Sequence, residues 1–254
     1  MKQSRDLCSV MESLVEQKRR LGIVAGLVFS LAAAVGHVSA QKSDKSAQGN
    51  WTDAFPAEEF SSTGTNPYFV LKPGYFLILE GTDEGKKVQL TVTVLDETKT
   101  VDGVETRVVE EREKDISADK LIEVSRNYFA VGKRTNTVYY FGEDVDMYKN
   151  GQVTSHEGSW QSGVKGARFG VTMPGIALLG SRYYQEVAPG IAMDRGENVS
   201  MTENLETAAG SFKNCLQVKE TTPLEPDVKE FKFYANGVGL VQDGKLKLVK
   251  YGSR

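Results

Sequence analysis

In Lys87-Val88-Gln89-Leu90-Thr91-Val92-Thr93-Val94 every even position is aliphatic and every odd one polar. A period of two places alternate side chains on opposite faces of an extended chain, so this run predicts a half-buried strand. The same β-branched and aromatic bias recurs over 75–79, 104–109, 121–131, 137–141, 182–187, 212–220, 228–234, 239–242 and 245–251, and each is read as a strand. Between them stand Asp102-Gly103, Asn150-Gly151, Asn236-Gly237 and Asp243-Gly244, pairs that tolerate the positive φ angles of tight hairpins. Nothing beyond residue 66 carries convincing helical spacing. The pattern predicts a mainly β fold: a single domain over 67–254, built as a meandering antiparallel sheet that forms a barrel or a strongly curved half-barrel.

The first forty residues follow another rule. Lys18, Arg19 and Arg20 precede an apolar run over 21–36, and Val38-Ser39-Ala40 supplies small side chains. Charge, apolar run and small-residue site in that order predict a signal peptide over 1–40, cleaved near Ala40. The run is shorter than the roughly 20 apolar residues of a membrane-spanning helix. The expected location is therefore periplasmic or secreted, with no stable membrane insertion of the mature chain. Residues 41–66 are polar, with Trp51, Phe55 and Phe60 isolated among Ser, Thr, Gly and Asp, and read as a flexible N-terminal segment.

Composition narrows the partners. The two cysteines are Cys8 and Cys215, so removal of the leader leaves one thiol and no internal disulfide; stability must come from the core. Asp and Glu number 34 against 31 Lys and Arg, without the basic stripe of a nucleic-acid binder. The densest charge run, Glu110-Glu111-Arg112-Glu113-Lys114-Asp115, reads as a solvated turn region.

The segment 157–175 breaks the strand rhythm with five glycines among Trp160, Phe169 and Met173. It reads as an ordered loop, either a lid on the core or one wall of a ligand pocket. On the second reading Trp160, Phe169, Met173 and Tyr184 line the mouth, and Arg168 meets an anionic head group. Other chemistries have thinner support. Glu143, Asp144 and Asp146 cluster as oxygen ligands would, but Tyr148 occupies a position where a calcium loop needs another oxygen. His156 and Cys215 make a poor zinc set. No nucleophile elbow and no phosphate-binding glycine loop occurs, and no cofactor is expected. Glu143, Glu186 and Asp194 can act as acid and base on a glycan if two of them face each other across a cleft.

Four strings carry a resemblance: Val-Tyr-Tyr-Phe-Gly-Glu-Asp at 138–144, Gly-Ser-Trp-Gln-Ser-Gly-Val-Lys-Gly-Ala at 158–167, Tyr183-Tyr184-Gln185-Glu186 with the later Asp194, and Tyr-Ala-Asn-Gly-Val-Gly-Leu-Val at 234–241. Over about 66–251 the chain resembles an uncharacterised family of exported bacterial β-sheet proteins, similar in outline to lipoprotein-carrier and lipocalin-like folds. The resemblance implies a cell-envelope protein with a curved antiparallel sheet and transfers no catalytic residue. Three functions stay open: an envelope binding or scaffold module with an apolar small molecule or an envelope protein as partner, a secreted glycan hydrolase, and a purely structural protein.

Overall fold

A computed structural model of the chain describes residues 51–55, 58–83 and 85–254. The proposed leader and its cleavage site lie outside them. In chain order the strands are β1 (Phe60–Ser61), β2 (Gly64–Asn66), β3 (Phe69–Leu71), β4 (Tyr75–Asp83), β5 (Lys86–Val101), β6 (Val104–Asp115), β7 (Lys120–Gly132), β8 (Val138–Lys149) and β9 (Gln152–Ser155). They continue as β10 (Trp160–Gln161), β11 (Arg168–Met173), β12 (Arg182–Tyr184), β13 (Glu186–Val187), β14 (Arg195–Thr207), β15 (Gly210–Thr222), β16 (Glu225–Ala235), β17 (Gly239–Asp243) and β18 (Leu246–Ser253). All but β2 and β3 join one 16-stranded sheet whose ladders are antiparallel. Two of the Asx-Gly turns are tight hairpins with both central residues at positive φ: Asp102 and Gly103 between β5 and β6, Asn150 and Gly151 between β8 and β9.

The sheet runs β14-β15-β16-β17-β18-β4-β5-β6-β7-β8-β11. Its two ends meet on one short piece of chain. Arg182, Tyr183 and Tyr184 pair with Glu197, Gly196 and Arg195 of β14. Three residues on, Glu186 and Val187 pair with Phe169 and Arg168 of β11. The segment from β12 to β13 thus nearly closes the sheet into a barrel, hiding edges that would otherwise pair with other chains. Gly170 makes the junction possible: a Cβ there would collide with the Tyr184 carbonyl oxygen and the Gln185 backbone.

Register sets what faces inward. Val94, Val109, Asn127, Glu143 and Trp160 lie in one cross-strand row over β5, β6, β7, β8 and β10. The next row is Leu77, Val92, Glu111, Ser125 and Val145, and the third is Leu79, Leu90, Glu113, Glu123 and Met147. The inner wall is therefore graded along the barrel. At one end Tyr68, Val94, Phe129, Val138, Leu216 and Tyr234 form an apolar core, into which the β2–β3 hairpin brings Tyr68 and Leu71. Toward the other end, carboxylates replace them.

Two expectations are corrected. The charge run at 110–115 is no turn: β6 continues through it, and period two sends Glu111 and Glu113 inward behind Val109. The segment 157–175 is not one continuous loop either, because β10 and β11 within it are part of the barrel wall. Trp160 and Gln161 pair with Glu143 and Gly142, and Gly170, Val171 and Met173 pair with Tyr140, Tyr139 and Val138. Between these two strands 162–167 loops out, with Gly163 and Gly166 at positive φ.

The N-terminal segment is docked from Trp51 onward. Thr52 forms a parallel bridge with Tyr183, and Phe60 and Ser61 pair with Gly132 and Val131. Glu58 accepts from the Tyr139 hydroxyl at 2.7 Å and the Thr135 hydroxyl at 2.8 Å. Phe55 and Phe60 cover Tyr139, Phe141 and Phe169 on the barrel's outer face.

Candidate functional site

A cavity of about 110 Å³ lies inside the barrel. Its apolar side is formed by Phe69, Leu77, Val92, Val94, Phe129 and Leu240, and its polar side by Glu111, Glu113, Gln185, Glu186, Glu220, Lys232 and Asp243. The wall thus carries five carboxylates and a single ammonium group. Lys232, 7% exposed, sits 2.9 Å from Glu220 Oε2 and 3.8 Å from Asp243 Oδ2. Gln185 Nε2 donates to Glu220 Oε1 at 2.8 Å. This chain ties the closing segment to β15, β16 and β17.

The remaining acids keep their carboxyls protonated well past the ordinary range. Burial pushes Glu113 far up, and Glu123, Asp243, Asp83 and Glu111 push the same way. Burial also raises Glu186, with Asp194 adding to it, although the Asp194 N–H donates to Glu186 Oε1 at 2.6 Å and works in the opposite sense. Asp194 is raised to about 6 by burial and Glu220, against the pull of Lys232. Asp243 is raised to about 7 chiefly by burial, again opposed by Lys232. Burial works against the Lys232 ammonium, but Asp243 and Glu220 outweigh it and hold it above the usual lysine value.

Of the residues expected to bind a ligand, none lines this cavity. Trp160 and Met173 are buried in the apolar core. Phe169 lies in the aromatic patch on the outer face, stacked on Phe141 with ring centroids 4.6 Å apart. Arg168 is exposed and pairs with Asp53 Oδ2 at 3.3 Å. Tyr184 packs edge-on against Trp51 at 6.5 Å. The five are therefore divided between the core, the outer face and the junction, because strand alternation separates Arg168 from Phe169 and the loop they were assigned to is a strand.

The acid trio fares differently. Glu143 and Glu186 are fully buried, the Asp194 N–H is bonded to Glu186, Asp194 raises the pKa of both, and Glu143 raises that of Glu186. The Tyr140 hydroxyl is close enough to lower the Glu143 pKa somewhat, but it donates to Asn127 Oδ1 at 2.5 Å. The cation-ligand set does not assemble. Glu143 points inward while Asp144 points out to Lys99 and Tyr128 at 2.9 and 2.5 Å, and Asp146 pairs with His156 Nδ1 at 2.8 Å. Adjacent strand residues face opposite sides, so Glu143 and Asp144 share no coordination sphere. Among the described residues no group of His, Cys, Asp and Glu is placed to hold a metal ion. Cys215 is free and buried.

The lining acids Glu111, Glu113, Glu220 and Asp243 and the lining Lys232 went unrecognised in the sequence. A signal existed for Glu111 and Glu113, which continue the inward parity of Val109. Comparison with family models, with curated proteins and with solved structures gives no match.

Proposed function

We propose that this chain is an envelope binding module that encloses one small ligand inside its barrel. The observation that carries the reading is the cavity itself, walled by side chains from nearly every long strand and graded from apolar to acidic. A barrel whose interior served only stability would fill with apolar side chains at close packing. Burying five carboxylates around a void costs stability that an occupant with matching polarity recovers. The size bounds the occupant. A cavity of about 150 Å³ in another protein accommodates benzene, so about 110 Å³ suits a molecule of roughly five heavy atoms. It is too small for a sugar ring with its neighbours, and of Glu143, Glu186 and Asp194 only Glu186 lines it, so Glu186 is read as part of a binding wall and the three not as a glycosidase pair.

The test is native mass spectrometry of the full chain purified from an envelope fraction, followed by denaturation and analysis of what is released. One small companion per chain is the expected result. A folded protein of bare mass from repeated preparations, with no stabilisation by benzene or xenon, would count decisively against an enclosed ligand.

A further inference from the structure

Resting on that reading, we infer that the occupant is a small amphipathic amine, its ammonium group set against Glu186 and the side-chain carbonyl of Gln185 and its aliphatic part against Phe69, Val92, Val94 and Leu240. The first observation is the imbalance of charge on the wall. Lys232 is already committed to Glu220 and Asp243 and also acts on Glu111, which leaves Glu113 and Glu186 facing the cavity with no lining cation against them. The second is independent of charge. No hydrogen bond reaches Glu113 Oε1, Glu186 Oε2 or Gln185 Oε1, although these side chains are 4%, 0% and 5% exposed and all line the cavity. The amide oxygen is an acceptor, the two carboxylate oxygens are acceptors once ionised, and a fourth unpartnered lining atom, the Thr172 hydroxyl oxygen, takes either role. A buried acceptor without a donor costs about 1–3 kcal/mol, so the missing group is a donor with several N–H bonds. An ammonium head has three donors and no acceptor, the complement of such a wall.

Size and gradient complete the description. Apolar and acidic side chains share the wall, so an alkylammonium ion of about four carbons satisfies both within the volume available. In the absence of a cation the wall acids hold protons: Glu113 faces Glu111, Glu123, Asp243 and Asp83, and Glu186 faces Asp194, Glu143 and Glu220. Entry of the ammonium ion then expels a carboxyl proton to solvent, and charge is conserved.

The experiment titrates n-butylammonium, 1-butanol and xenon into the full chain by calorimetry and by ligand-observed NMR. Butylammonium is expected to bind at least about tenfold more tightly than butanol, to release protons at pH 6, and to lose about tenfold in Glu186→Gln, a larger loss than butanol shows in the same variant. Gln185→Leu serves if Glu186→Gln fails to fold, as judged by circular dichroism. Butanol binding as well as the amine would overturn the amine assignment and leave the enclosed-ligand reading intact. Failure of all three probes to bind would overturn both.

Discussion

Lys232 is the residue on which the polar interior turns. It is nearly fully buried between Glu220 and Asp243, and these two acids depend on it for compensation. Replacing one member of a buried ion pair leaves the partner charge uncompensated, at a cost of about 3–5 kcal/mol. Lys232→Met is therefore expected to lose that much stability at pH 8 in urea denaturation. At pH 5 the loss should shrink, because Asp243, already raised to about 7 with the lysine present, takes up a proton when the lysine is gone. An equal loss at both pH values would assign the effect to packing. None of this role was visible from sequence. In Val228 to Tyr234 the alternation identifies which parity faces inward, but it does not say that a lysine at an inward position stays there. That depends on Glu220 and Asp243 arriving from two other strands.

At the scale of elements, the arm and the junction decide whether the barrel is sealed. Phe60 lies 5.4 Å from both Tyr139 and Phe141 and 6.1 Å from Phe169, joining the N-terminal segment to β8 and β11. Phe60→Ala is expected to cost about 2–3 kcal/mol, less than for a fully buried phenylalanine because the ring keeps some solvent contact. Limited proteolysis should show faster cutting between 51 and 66, and protection equal to that of the unsubstituted chain would show that the ring contributes little to docking. These elements were the hardest to read. The long strands β4 to β8 and β15 to β18 were legible in part from hydrophobic pattern and turn residues, but the charged second halves of β6 and β8 were not. By contrast β14 went unrecognised: its Gly196, Glu197 and Asn198 are buried polar or small residues, and its ladder to β15 shifts register three times. The arm looked unstructured because its apolar residues are isolated in sequence, and their partners lie about eighty residues away. Glycine clustering in 157–175 suggested a loop, whereas Gly170 in fact marks the close passage of two strands.

Over the whole molecule, the interior acids make the protein's stability depend on pH in an unusual sense. In an unfolded chain Asp and Glu titrate near about 4. In the fold, burial raises Glu111, Glu113, Glu143 and Glu186, and brings Asp194 to about 6 and Glu230 and Asp243 to about 7. Between these limits the native state holds more protons than the unfolded one, so stability falls as pH rises. Their contribution is complete below about 4 and is lost as pH passes upward through 6 and 7. A smaller set opposes it. Burial alone would raise Glu58, Asp144 and Glu197, but bonds from Tyr139 and Thr135, from Tyr128 and Lys99, and from Lys219 and Arg182 lower all three. That contribution is present above about 4 and disappears as pH falls below it. The two trends cross in mildly acidic solution. Scanning calorimetry of the ligand-free protein should therefore find the highest Tm between about pH 4 and 6, with a clear decline by pH 8. A Tm that climbs steadily from pH 5 to pH 8 would mean that the wall acids are ionised and compensated in the empty barrel. Saturating n-butylammonium should reverse the slope above pH 6, since the bound cation stabilises the ionised carboxylates and binding to the native state alone raises Tm.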